Sequence, residues 1–218
     1  MKDRIILDLC GGTGSWSKPY RDAGYDVRLV TLPEQDVRTF VPPEKVHGVL
    51  AAPPCTEFAV SGARWWATKD PALLETALAV LDACLRIIAD AAPRWWALEN
   101  PAGGRLPRLR PNLGPPLLRF HPYDYGHPWT KATHIWGAFR PPMKQALRVP
   151  EHYGAERWKA SICNHLSPTP TRGQRQKMFE AGYIEESWVD TPPSWLTRAA
   201  LRSITPPGFA SAFFRANP

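Results

Sequence analysis

The sequence predicts an α/β fold: a mostly parallel sheet with helices on both faces, followed by a small loop-rich appendage. Three observations predict it. Residues 4–23 read as an apolar strand, a glycine turn and a polar helix. Four strand–helix signals of this kind fall within the first hundred residues. After residue 100 periodicity fades and proline accumulates, reaching 25 of 218 residues overall against a usual share of about 5%, which predicts loops.

The first strand is Arg4 to Leu9 (RIILDL), with Asp8 near its end. Cys10-Gly11-Gly12-Thr13-Gly14-Ser15-Trp16 follow, then a helical stretch through Ala23. Strand, glycine turn and helix make a Rossmann-like opening, in which glycine lets a ligand approach the backbone. The spacing is not GxGxxG, so a dinucleotide is disfavoured and a small nucleoside-bearing ligand without a pyrophosphate is expected. A tight turn with no ligand is the alternative. Tyr25 to Leu32 is the second strand, Asp36-Val37 follows a short loop, and Val46 to Ala52 is the next strand.

That strand runs into Pro53-Pro54-Cys55-Thr56-Glu57-Phe58. Two prolines stiffen the backbone and end the hydrogen-bond ladder. They present Cys55 from a rigid loop at a strand's C-terminal edge, where open parallel sheets take their ligands. The reading favoured is a nucleophile; a buried apolar cysteine is the alternative. Pro71 to Ala92 carries Leu74, Leu78, Leu81, Leu85 and Ile88 at helical spacing, widened by Leu73 and Ala77, and predicts a core-facing helix. Pro93 ends it. Arg94 to Leu98 is another strand, delivering Glu99-Asn100-Pro101 at its end.

From Gly103 to Phe120 the chain carries Arg105, Arg108, Arg110 and Arg119 and no acid. A phosphate-contacting loop is one reading and a solvated loop the other. Residues 140–200 lack clear periodicity; they include Arg172 and Arg175 in a second acid-free stretch. Pro207 opens a last helix with Ala210, Phe213 and Phe214 on its inner face.

Lys and Arg exceed Asp and Glu by 27 − 20 = 7, a balance that suits a polyanion such as nucleic acid. Four scattered cysteines include no CxxC pair, which disfavours zinc ribbons and thioredoxin-type chemistry. Cys163-Asn164-His165 lacks further ligands nearby, so no metal site is expected. No leader and no membrane span are expected, and a reducing cytoplasm is the expected compartment.

Five segments, in order, resemble the DNA cytosine-5 methyltransferases, specifically their short phage-type members. DLCGGTGSW (8–16) resembles the family's S-adenosylmethionine loop, APPCTEF (52–58) its Pro-Cys motif, and LENP (98–101) the Glu-Asn motif that follows. YGHPWTKATHIW (125–136) and ITPPGFASAFF (204–214) are similar to its eighth and last motifs. The resemblance implies a Rossmann-like class I methyltransferase fold, S-adenosylmethionine as cofactor, and DNA, duplex or single-stranded, as partner to a monomer. It implies catalytic roles for Cys55, Pro54, Glu99, Asn100 and Lys131. It implies cofactor contacts from Asp8, Leu9, Cys10, Gly11, Gly12, Thr13, Gly14, Ser15, Trp16, Thr31, Leu32, Asp36, Val37, Pro53, Leu74 and Thr205. Arg64, Arg105, Arg108, Arg110, Arg172 and Arg175 are the expected DNA contacts, with Arg64, Trp65 and Trp66 as a lid. A catalytic body of residues 1–138 and 201–218 and a reduced target-recognition region at 139–200 complete the expectation.

The chain departs from the family at several positions. Cys10 stands where Phe is usual, Thr56 where Gln is usual, and Thr31-Leu32-Pro33 where an acid is usual. Lys131 and Thr133 replace two arginines, and the last motif lacks Gly-Asn. A same-fold enzyme acting on RNA or a free nucleotide, one using a modified cofactor, and a catalytically weak DNA-binding relative are the alternatives.

Overall fold

Among the described residues six strands form one sheet, in the order β2-β1-β3-β4-β6-β5. The computed structural model describes residues 4–127, 130–144 and 169–218. The strands are β1 (Ile5–Leu9), β2 (Asp26–Val30), β3 (Val46–Ala51), β4 (Trp95–Pro101), β5 (Leu118–Phe120) and β6 (Thr133–Ala138). The first four are parallel; β6 runs antiparallel to β4, and β5 antiparallel to β6. The helices are α1 (Lys18–Asp22), α2 (Pro71–Ala91), α3 (Leu106–Leu109), α4 (Arg172–Glu180), α5 (Ser187–Asp190), α6 (Arg198–Ser203) and α7 (Pro207–Ala216).

Side-chain alternation divides the core between the two faces. Leu7, Leu9, Val49, Ala51 and Leu98 pack on one face against Leu81, Cys84, Ile87 and Ile88 of α2. Ile6, Leu50, Trp95 and Ala97 pack on the other, against Tyr20 of α1 and Phe209, Ala210 and Phe213 of α7. That second face is aromatic: Phe120 stacks on Phe209 at 4.1 Å, and Trp16 meets Phe213 edge-on at 5.5 Å. Each such buried side chain contributes roughly 1.5–3 kcal/mol. Helices on both faces agree with the expectation.

Local chemistry sets the limits of α2. The Asp70 carboxylate accepts from Ala72 N–H at 2.9 Å, Pro71 fills the first turn, and Ala92 closes the helix in a left-handed conformation at φ 42°. The buried stripe is rotated from the expected one. Cys84 and Ile87 are fully buried, whereas Leu74, Leu78 and Leu85 are only partly covered and Leu73 is 50% exposed. The N-terminal half of α2 packs only partly on the core, through Leu74 and Leu78, and lends Leu73, Thr76, Ala77 and Val80 to a cavity wall. Among the described residues no helix is long and apolar enough to cross a membrane.

Two features were not legible in the sequence. The short strand β5 lies inside the stretch read as an arginine-rich loop. Residues 169–204 hold helices α4 to α6 around a third core cluster of Met178, Tyr183, Ile184, Leu196, Leu201 and Ile204. Leu201 and Ile204 belong to that cluster although they lie beyond residue 200.

Gly137 shows why one residue type fits where β6 crosses β4. Its φ is +147°, and an added Cβ would lie 2.0 Å from the Trp96 carbonyl oxygen, a backbone atom. Gly137→Ala should therefore cost about 3 kcal/mol in urea denaturation. Gly24→Ala, at φ +82° but facing open space, should cost about 1 kcal/mol. Equal losses would remove the steric explanation.

Candidate active site

Strand order reverses between β1 and β3, because β2 lies on one side of β1 and β3 on the other. Outside the carboxyl ends of such a pair the loops diverge and leave a crevice, the usual ligand site of open α/β sheets. The loop after β1 and the Pro-Pro-Cys loop after β3 both start there. Cys10 N–H donates to Val30 O at 2.8 Å and Ala52 N–H to Leu9 O at 2.9 Å, so both loops leave from paired backbone.

The first loop turns on left-handed residues: Cys10 at φ 56°, Gly12 at 55° and Gly14 at 68°. Gly11 has a different constraint. An added Cβ would lie 2.3 Å from the Asp8 carboxylate, which is packed beneath the loop. Asp8 is fully buried; its Oδ2 accepts from Ser17 Oγ at 2.5 Å, while Oδ1 has no partner. Burial pushes its pKa up to about 6, against the opposing pull of the Ser17 hydrogen bond and the Arg21 charge. The Cys84 thiol hydrogen-bonds the Cys10 sulfur, which lowers the Cys10 pKa and holds Cys84 well above the usual thiol value.

Beside this loop a cavity of about 370 Å³ opens between the ends of β2, β3 and the first half of α2. Cys10, Thr31, Leu32, Asp36 and Val37, five of the residues expected to contact a cofactor, line it. The expected Pro53 and Leu74 do not line it: Pro53 is buried beneath the loop and Leu74 packs toward the core. Pro54 and Leu73 stand in their places, joined by Thr76, Ala77 and Val80. Leu9 and Trp16 are core residues, Trp16 packing against Phe209 and Phe213. Asp36 carries a partner that sequence reading missed. Arg38 grips both its oxygens, with Nη2 to Oδ2 at 2.6 Å, and holds its pKa below the ordinary carboxylate value. Ser15 Oγ donates to Thr205 O at 2.8 Å, which brings the last segment beside the first loop.

The Cys55 loop is braced from two directions. Cys55 O accepts from Phe58 N–H at 2.9 Å and Ala59 N–H at 2.8 Å, closing a turn. Arg105 then clamps that turn: its N–H donates to Phe58 O at 2.9 Å, its Nε to Glu57 O at 2.7 Å, and its guanidinium lies 4.6 Å over the Trp66 ring. Gly104 is needed for this approach, since a Cβ there would lie 2.2 Å from Phe58 O. Lys69 Nζ meets Glu57 Oε1 at 2.6 Å.

β4 supplies the opposite wall. Ala51 lies opposite Leu98 in the parallel β3–β4 pair; β3 ends there, while β4 runs on through Pro101 paired with β6, beyond the strand end at Leu98 that the sequence predicted, so Glu99 and Asn100 stand on the strand itself beside the Cys55 loop. The buried Asn100 donates from Nδ2 to Pro53 O at 3.3 Å, tying the two together. Lys131 Nζ reaches Glu99 Oε1 at 3.2 Å, with both side chains largely covered.

The arginines expected at DNA divide. Arg64, over the Trp65 ring at 4.8 Å, and Arg108 are exposed. Arg105 holds the cysteine turn, Arg110 pairs through both nitrogens with Asp82, Arg172 pairs with Asp190, and Arg175 donates to Val189 O and Pro170 O. Those four already serve the fold. Among the described residues no three His, Cys, Asp or Glu side chains gather as metal ligands; Cys163-Asn164-His165 lies outside them.

The raised pKa of Asp8 has a stability consequence. The folded chain keeps a proton there that the unfolded chain releases near the ordinary value of 3.8. Stability at this site is therefore full below about pH 4 and declines as pH rises through about 6, by about 3 kcal/mol at pH 7. Asp8→Asn keeps an acceptor for Ser17. Its stability relative to wild type should grow by about that amount between pH 4 and 7 in chemical denaturation. Parallel profiles would show that Asp8 is not so perturbed.

No family model and no curated protein matches the chain. Among solved structures the chain is similar to a prophage-encoded E. coli protein provisionally assigned as a DNA modification methyltransferase. Identity is 15%, the TM-score is 0.48, and the match covers 67% of this chain. The chain spans about half of that protein's length, 52%.

Proposed function

We propose that the chain transfers a methyl group from S-adenosylmethionine to carbon 5 of cytosine in DNA, with Cys55 as nucleophile and Glu99 as its partner. The observation that carries this reading is the Asn100–Pro53 hydrogen bond, which joins the Glu99 strand end to the Cys55 loop beside the crevice. The mostly parallel sheet with helices on both faces is read as a class I methyltransferase fold. Residues 1–138 with α7 form its catalytic body, and the region from 139 to about 204 forms a reduced recognition element.

The residues present fit an adenosyl group. The cavity has apolar walls in Val37, Pro54 and Leu73 for a flat ring, and polar groups in Thr31 and Asp36 for its donors. Its volume of about 370 Å³ lies within the range of small-molecule sites. Asp36 and Val37 would hold the base, and the backbone from Gly11 to Ser15, with Thr205 beside it, the amino-acid part. When bound, this cofactor supplies an electrophilic methyl carbon.

The chain's own residues do the rest. Cytosine carbon 5 is a poor nucleophile inside an aromatic ring. In this reading Cys55 Sγ adds to carbon 6, which breaks the aromaticity and makes carbon 5 enamine-like. A thiolate suits both addition and departure. Once carbon 5 has formed its new bond, loss of its proton and expulsion of the Cys55 thiolate restore the ring. Lys131 orients the Glu99 carboxylate through Oε1, and Oε2 is left to accept from the cytosine amino group. A base cannot reach this edge from within a duplex, so it is flipped out at a cost of a few kcal/mol. Arg64 and Arg108 are the exposed members of the arginine set expected at DNA and the first candidates for phosphate contact.

The test is incubation with labelled S-adenosylmethionine and DNA, followed by digestion and mass spectrometry. 5-Methylcytosine is the expected product. Cys55→Ala should lower turnover about 10³-fold or more while cofactor affinity stays within about twofold. Glu99→Gln should slow it about 10²-fold or more. A methyl group on another atom, or full activity in Cys55→Ala, would refute the mechanism.

A further inference from the structure

A second cavity lies at the opposite edge of the sheet, where β3 and β4 begin and β6 ends. Its volume is about 470 Å³. Arg4, Arg94 and Arg140 converge on it, with His47 and Trp95 between them. Among the described residues no Asp or Glu side chain lines it. In this the three differ from the ion-paired arginines. Arg28, Arg38, Arg86, Arg110 and Arg172 each pair with an aspartate. Among the described residues Arg4, Arg94 and Arg140 have no carboxylate partner. The Arg4 guanidinium reaches only the Tyr25 hydroxyl, at 3.5 Å.

The rest of the lining is also donor-rich. Trp95 is 7% exposed and keeps its indole N–H buried without a partner. His47 Nε2 donates to Pro218 O at 2.9 Å, so that backbone acceptor is already taken. Asn217 spends both ends of its amide on the backbone of Arg140, with Oδ1 accepting at 2.7 Å and Nδ2 donating at 3.0 Å. Even a free carboxylate at Pro218 would offset only one of three positive charges. Like charges lining one cavity repel unless an anion joins them, and planar guanidinium forks match phosphate oxygens in geometry.

We propose that this cavity binds a phosphate-bearing anion. The site is separate from the crevice: by the rise of a strand, His47 and the Cys55 loop are on the order of 15–20 Å apart. It therefore stands whether or not methyl transfer is the activity. The phosphate can come from a free ligand or from a stretch of nucleic-acid backbone passing the lower edge.

Two probes separate these sources: sodium pyrophosphate by titration calorimetry, and a fluorescein-labelled single-stranded oligonucleotide by anisotropy across a salt series. The variant is Arg94→Gln/Arg140→Gln, at two exposed positions outside the proposed catalytic machinery. The control is Arg28→Gln/Arg86→Gln, which removes the same charge elsewhere. Circular dichroism and Tm check that both fold. A free-phosphate site predicts pyrophosphate binding that weakens at least about tenfold in the first variant but not in the control. A backbone site predicts no pyrophosphate binding, an oligonucleotide affinity reduced at least about tenfold, and a log–log salt slope shallower by about 2. If neither probe binds, or if the two variants behave alike, the cavity is not an anion site.

Discussion

β3 and β4 run parallel with Ala51 opposite Leu98, so the Cys55 loop leaves β3 at the height where β4, held by β6, carries Glu99 and Asn100 past it. Every element of the candidate site depends on that register. Had the strands been antiparallel, Cys55 and Glu99 would lie at opposite ends of the sheet. Because parallel strands need a covering connection, α2 must cross one face, and its buried half supplies Leu81, Cys84, Ile87 and Ile88 to the core. Its other half is only partly covered, and Leu73, Thr76, Ala77 and Val80 there make the cavity wall.

Three loops then have to be held rigid at that edge, and the chain uses side chain to backbone hydrogen bonds to do it. Asn100 holds Pro53, Arg105 holds Glu57, and Ser15 holds Thr205. Each joins segments distant in sequence. An arginine bonded to backbone and stacked on an indole is more constrained than one in a surface ion pair, which contributes about 0–1 kcal/mol. The net positive charge is consequently unevenly available. Most of the arginines named above are occupied within the fold, while Arg4, Arg94 and Arg140 line a cavity to which no described Asp or Glu side chain contributes.

Much of this was legible in the sequence. The strand–glycine–helix opening, the Pro-Pro-Cys loop and the Glu-Asn strand end all stand at the expected sheet edge, because proline, glycine and short apolar runs act locally. The α2 stripe was misjudged by part of a turn, since leucine spacing alone does not tell which flank meets the sheet; Cys84 and Ile87 sit deeper than Leu85. Pro54 and Leu73, not Pro53 and Leu74, line the cavity for the same reason: neighbours in sequence point in different directions, and only packing decides which faces out. β5 was missed because three residues carry too little periodicity to register.

The sequence by itself determined which residues could do chemistry and roughly where each strand would end. These properties rest on backbone restriction and hydrophobic pattern, which are local. Only the tertiary structure decided which of those residues are free to act. Arg110 finds Asp82 from 28 residues away and Arg105 finds Glu57 from 48. The partner of a charge depends on which distant segments the sheet brings together, so no local pattern could distinguish a guanidinium bound into the fold from one lining a cavity.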